Sequence, residues 1–97
     1  MSKTTRRLAD FDPAAMLAVF AKHPGEMATV RFDHLEAGAL IRRHVRAAFD
    51  RARIRGAEVE VREERGWLDS VFAVRMRGTT EQLRPSLLAL AALAEEA

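Results

Sequence analysis

Hydrophobic positions along this chain follow two different periods, and the switches between them divide it into six elements. Asp12-Pro13 is a helix start, an N-cap carboxylate followed by proline at the first helical position. Met16, Leu17 and Phe20 then fall on one face of a short helix, which His23-Pro24-Gly25 ends. From Glu26 to Asp33 the pattern alternates, with Ala28, Val30 and Phe32 on one side and Thr29 and Arg31 on the other, as in a half-buried strand. Asp33-His34-Leu35-Glu36 has the spacing of a capping box, so a long second helix is expected directly after it. Its inward stripe would be Ala37, Ile41, Val45, Ala48, Phe49 and Ala52, and Gly56 would stop it.

Beyond Gly56 the period returns to two. Val59 and Val61 alternate with Glu58, Glu60 and Arg62, and Trp67 to Arg77 forms a returning strand with Leu68, Phe72, Val74 and Met76 toward the core. A two-residue turn at Arg65-Gly66 would set Val59 opposite Phe72, Val61 opposite Ser70 and Arg62 opposite Asp69. Thr79-Thr80-Glu81-Gln82 offers a second capping box for a C-terminal helix, in which Pro85 requires either a later start or a kinked first turn. The order α-β-α-β-β-α predicts the α+β class: a two-layer α/β sandwich whose three-stranded sheet is covered on one face by helices. Residues 11–97 form one domain in this reading, and residues 1–10 a flexible basic tail.

Composition narrows the functional classes. The chain has 97 residues, 48% of them hydrophobic and 31% charged, which suits a folded domain and not a disordered one. Cysteine is absent, so disulfides, thiolate metal sites and cysteine nucleophiles are excluded. Asp10 and Asp12 interrupt the basic N-terminus before any apolar run, so no secretory signal is expected. The longest apolar run, Leu87 to Ala94, is far below the ~20 residues of a membrane span. A cytoplasmic location and no membrane partner are the corresponding expectations.

Charge is concentrated where composition does not show it. Arg42 to Arg55 holds six arginines against one acid, Asp50, in a chain of net charge +2. Arg42, Arg46 and Arg53 share a stripe beside the apolar face, with Arg43 next to it, and such a row suits bidentate contact with phosphates or an acidic surface. Lys3, Arg6 and Arg7 would add a flexible arm. Against that reading, Arg46 and Asp50 stand at i,i+4 and Glu58, Glu60, Glu63 and Glu64 are available to neutralise the rest.

A second candidate lies in the C-terminal helix. Leu83, Leu87, Leu90 and Ala94 suffice to cover a sheet, which leaves Leu88, Ala92 and Leu93 as surplus apolar surface of the kind that marks an interface. Trp67, beside a hairpin turn, is a residue type enriched in binding hot spots. Catalytic chemistry finds no support. His23, His34 and His44 form no ligand motif, although Asp33 and Glu36 flank His34. Ser2, Ser70 and Ser86 sit in no nucleophile elbow, and glycines do not cluster. No catalytic residue, metal, cofactor or small-molecule substrate is therefore assigned. The expected function is a non-enzymatic protein–protein interaction module of inhibitor, immunity or adaptor type. It is expected to be homodimeric and to bind through Trp67, Leu88, Ala92 and Leu93. The alternative is a nucleic-acid-binding module that contacts phosphates through Arg42, Arg43, Arg46 and Arg53.

Overall fold

A computed structural model describes residues 5–96. Its elements are β1 (Arg6–Arg7), α1 (Leu8–Phe11), α2 (Pro13–Ala21), β2 (Met27–Gly38), α3 (Arg42–Ile54), β3 (Glu58–Arg65), β4 (Asp69–Thr79) and α4 (Thr80–Glu96). The α+β, two-layer expectation holds. The sheet has four strands in the order β1-β2-β4-β3, because Arg6–Arg7 pairs in parallel with Leu35 and Glu36. β4 runs antiparallel to both of its neighbours, so the α3 crossover joins two parallel strands across it.

Part of the stretch expected to be a tail is built into the fold. Leu8 is buried, Arg6 lies 4.7 Å from the Phe11 ring centroid, and the Arg7 backbone N–H donates to Asp10 Oδ2 at 3.1 Å. Arg6 and Arg7 are thus not free to act as an arm, and Lys3 lies outside the described residues.

Helix ends follow local chemistry. Asp12 accepts from the Ala15 N–H at 3.1 Å and Pro13 opens α2, as its sequence requires. Gly56, at φ 94°, closes α3 in a Schellman motif, with Ala57 N–H donating to Ala52 O and Gly56 N–H to Arg53 O. At the start of α4, Thr79 and Gln82 bond reciprocally at 2.9 and 3.2 Å, the capping box that their spacing implies. Pro85 therefore lies inside α4. It deletes only the N–H bond toward Glu81, an exposed residue whose carbonyl water can serve.

The largest departure is in β2. The strand runs twelve residues instead of ending at Asp33, and one extra residue is inserted between Phe32 and Leu35. His34 takes the left-handed conformation there, at φ 56°. Asp33 to Glu36 is thus a β-bulge and not a capping box. The physical reason lies in phase. Val30 and Phe32 face inward on even positions, Leu35 and Ala37 on odd ones, and only a one-residue insertion turns both pairs to the core. α3 consequently begins at Arg42, with Ala37 in the strand, and Val45, Ala48, Phe49 and Ala52 form its buried stripe.

The hairpin register also differs from the two-residue turn. Val59 pairs with Met76, Val61 with Val74, Arg62 with Ala73 and Arg65 with Ser70. A three-residue loop, Gly66 to Leu68, replaces the tight turn and is closed by Gly66 N–H to Asp69 O at 2.7 Å. Side-chain parity is preserved, because the partner moved by an even number of positions. Leu68, however, leaves the core face and is 74% exposed.

The core lies between the sheet and the α3–α4 layer. Its centre is an aromatic row, Phe11, Phe32, Phe49 and Phe72, with successive ring centroids 5.2, 5.7 and 6.0 Å apart. The opposite sheet face is open and charged. On it Arg77 is flanked by Thr29 and Glu58, and Arg75 by Arg31 and Glu60.

The bulge generates a stability prediction. A β-branched residue in the left-handed region costs about 1–2 kcal/mol, whereas glycine adopts it without strain. In urea denaturation, His34→Val should lower unfolding free energy by about that amount, and His34→Gly should remain close to wild type. Equal losses in the two variants would show that the His34 side chain, and not its backbone conformation, matters.

Candidate interaction surfaces

The bulge carries Gly38 to Ile41 to the end of the molecule where the β3–β4 hairpin turns. The two loops are joined there. Ala39 N–H donates to Leu68 O at 2.9 Å, and Arg42 Nη1 donates to Gly66 O at 2.9 Å and to Asp69 O at 3.4 Å. One arginine of the basic helix thus holds the hairpin loop against the start of α3. Three large apolar side chains project from this tip: Trp67 is 92% exposed, Leu40 90% and Leu68 74%.

Beside the tip lies an open cleft of about 410 Å³, into which Arg42, Arg43 and Arg46 converge with Arg65 from the end of β3. Glu63 is the one acid in its wall. Arg46 Nη1 meets Glu63 Oε1 at 3.0 Å, and Ser70 Oγ donates to Glu63 Oε2 at 2.7 Å. The Ser70 hydroxyl is the main cause holding the Glu63 carboxyl below its usual range. The Arg46 hydrogen bond and the Arg46 and Arg65 charges add to that effect, and partial burial opposes it. Arg43 and Arg65 donate to no acceptor among the described residues.

Three of the four arginines expected to act together therefore do meet, and the fourth does not. Arg53 bonds Asp50 at 2.8 Å and the Val59 carbonyl at 3.0 Å, tying α3 to the edge strand β3. Asp50 is thus taken by Arg53, while Arg46 reaches across to Glu63. Arg65 is not marked by the sequence pattern, in which Arg65-Gly66 has the form of a two-residue turn. As the last paired residue of β3, it faces the start of α3.

The apolar candidates separate into two places. Trp67 is at the tip, whereas Leu88 borders two grooves on the helical layer. One groove is lined by Leu17, Phe20, Ala21 and Leu88 between α2 and α4, and the other by Arg51, Arg55, Arg84 and Leu88 between α3 and α4. Leu88 is 50% exposed and Ala92 is exposed, but Leu93 is half-buried against the core. α2 adds an exposed apolar surface that periodicity alone does not mark. Its nine residues, PAAMLAVFA, contain no polar side chain, and Ala14, Ala15, Ala18, Val19 and Ala21 are exposed.

Groups capable of nucleophilic or acid–base chemistry are dispersed. Ser70 and Ser86 are fully buried, bonded to Glu63 and to Met76 Sδ respectively. His23 pairs with Glu26 at 3.2 Å in the turn after α2, His34 is in the bulge, and His44 is exposed on the first turn of α3. Ser2 lies outside the described residues. Among the described residues no helix is long and apolar enough to cross a membrane.

Comparison with known proteins adds no constraint: no family model, no curated protein and no solved structure matches this chain significantly.

Glu63 sets a pH-dependent prediction. Its folded-state pKa is depressed, so its contribution to stability is complete above the ordinary glutamate value and is lost as pH falls through the folded value. Ser70→Ala removes the largest cause of that depression and should cost about 1.5–3 kcal/mol at neutral pH, the range for a hydrogen bond to a charged group. Chemical denaturation at several pH values should show the gap to wild type narrowing below the carboxylate range. A gap independent of pH would assign the loss to packing alone.

Proposed function

We propose that this protein is a small non-enzymatic protein–protein interaction module, of inhibitor, immunity or adaptor type, that works as a homodimer. The observation that carries this reading is the outward surface of α2 and α4. A helix apolar around its whole circumference is ordinarily covered, yet α2 has only its inner side against α4 and leaves five small or branched apolar residues in solvent. Leu88 and Ala92 extend that surface along α4. The α2 part of it carries no charge, so two copies meet there without repulsion or desolvation of ions.

Burying Val19 and Leu88, 55% and 50% exposed, on both copies contributes on the order of 3–6 kcal/mol before the alanines are counted. Association costs are of similar size, so the dimer is expected to be weak and concentration-dependent. The tip is a second contact, suited to a different partner. Trp67, Leu40 and Leu68 supply the apolar anchor, while the surrounding arginines would repel another copy and favour an acidic rim.

Sedimentation across a wide concentration range tests the assembly. Wild type should move from monomer toward dimer, and Leu88→Glu or Val19→Asp should stay monomeric with unchanged thermal stability. Trp67→Ala should leave self-association intact. A wild type that is monomeric at every concentration, or a dimer indifferent to both charged substitutions, would remove this reading.

A further inference from the structure

We propose that the arginine cleft at the start of α3 is a binding site for a phosphoryl oxyanion. The proposal is independent of the homodimer, which uses another face. Four guanidinium groups, Arg42, Arg43, Arg46 and Arg65, converge on one cleft of about 410 Å³. Its single acid, Glu63, is already held by Arg46 and Ser70. The cleft wall therefore carries four guanidinium charges against one carboxylate, and Glu63, although the Arg65 charge reaches it, hydrogen-bonds neither Arg43 nor Arg65.

The wall is also built in place. Arg42 is fixed by two loop carbonyls and Arg46 by a carboxylate that a buried serine orients. Such fixed donors lose little freedom on binding, and guanidinium forks match phosphate oxygens in pairs. Arg43 and Arg65 supply the donors left over.

The helix itself supplies the second line of argument. Stable helices place acids and a side-chain acceptor at their N-terminal end, where backbone N–H groups concentrate positive charge. α3 does the reverse. Its N-cap is Ile41, with no side-chain bond to the first turn, and that turn contains Arg42 and Arg43 and no acid. Cations gathered at the positive end of a helix oppose folding locally, and an oxyanion bound among them would relieve both the arginines and the free N–H groups. The C-terminal half of α3 shows the ordinary arrangement, with Arg51 and Arg53 in its last turn.

A phosphoryl group could arrive on a nucleic-acid backbone or on a small phosphorylated molecule, and one experiment separates them. Trp67 is the chain's only tryptophan and follows Gly66, whose carbonyl Arg42 holds, so its fluorescence reports on the cleft. Wild-type protein is titrated with pyrophosphate, with single-stranded RNA and with duplex DNA at matched ionic strength, with thermal midpoints measured alongside. Saturable binding that weakens at least tenfold in the Arg43→Ala, Arg65→Ala double variant, but not in Arg51→Ala, Arg55→Ala, is the expected result. An oligonucleotide response with a steep salt slope identifies a nucleic-acid backbone, and a response to pyrophosphate alone identifies a small phosphorylated ligand. In phosphate-free buffer Arg43→Glu should raise the thermal midpoint by a few degrees while abolishing the pyrophosphate response. The proposal is overturned if none of the three probes saturates, if both double variants lose affinity equally, or if Arg43→Glu lowers the midpoint.

Discussion

The single residue inserted into β2 at His34 is the constraint on which the rest of this structure depends. Apolar residues before it occupy even positions and those after it odd ones, and a regular strand would bury only one set. With the bulge, Phe32 and Leu35 both reach the core, and β2 continues to Gly38. That extension moves the start of α3 to the far end of the sheet. Without it, Arg42 and Arg43 would lie within a helix that began at Leu35, and no arginine cleft would exist beside the hairpin.

From this follows a coupling between packing and electrostatics at the tip. Arg42 donates through Nη1 to two backbone carbonyls and so pins the loop that exposes Trp67 and Leu68. Arg46 and Glu63 form a pair of which Glu63 is the sheltered member, its side chain 17% accessible, and Ser70 links that pair to the buried face of β4. The hydroxyl is satisfied within the core, and the carboxylate it orients stands at the rim of the cleft. A group buried for packing thus sets the position of a surface charge.

Elsewhere charge is used for containment. β3 is an edge strand, and an edge of eight residues invites pairing with other chains. Alternating glutamates on its open face and the Arg53 bond to the Val59 carbonyl discourage that. The uncharged outer side of α2 stands in contrast, since no comparable device protects it. The sheet edge is thus guarded by charge, whereas on the α2–α4 surface charge is confined to α4, where Glu81 and Arg84 border the groove beside Leu88.

Local chemistry made much of this fold legible in the sequence. Asp12-Pro13, Gly56 and the Thr79–Gln82 pair mark helix ends because each is satisfied by its own neighbours. The stripe Val45, Ala48, Phe49 and Ala52 and the alternation in β3 and β4 follow from period alone. Asp33 to Glu36 is ambiguous in sequence because its acidic spacing suits a capping box as well as a bulge, and the phase change from Phe32 to Leu35 is what distinguishes them. Hairpin register and the position of Arg65 were not legible, since parity of facing survives any even shift. The gathering of Arg42, Arg43 and Arg46 with Arg65, and the diversion of Arg53 to β3, arise from contacts between residues far apart in the chain. Sequence by itself determined the elements and their inward faces, because burial periodicity and end-capping are local. Only the tertiary structure decided which charges share a cleft, because that depends on where strand ends and helix starts meet in space.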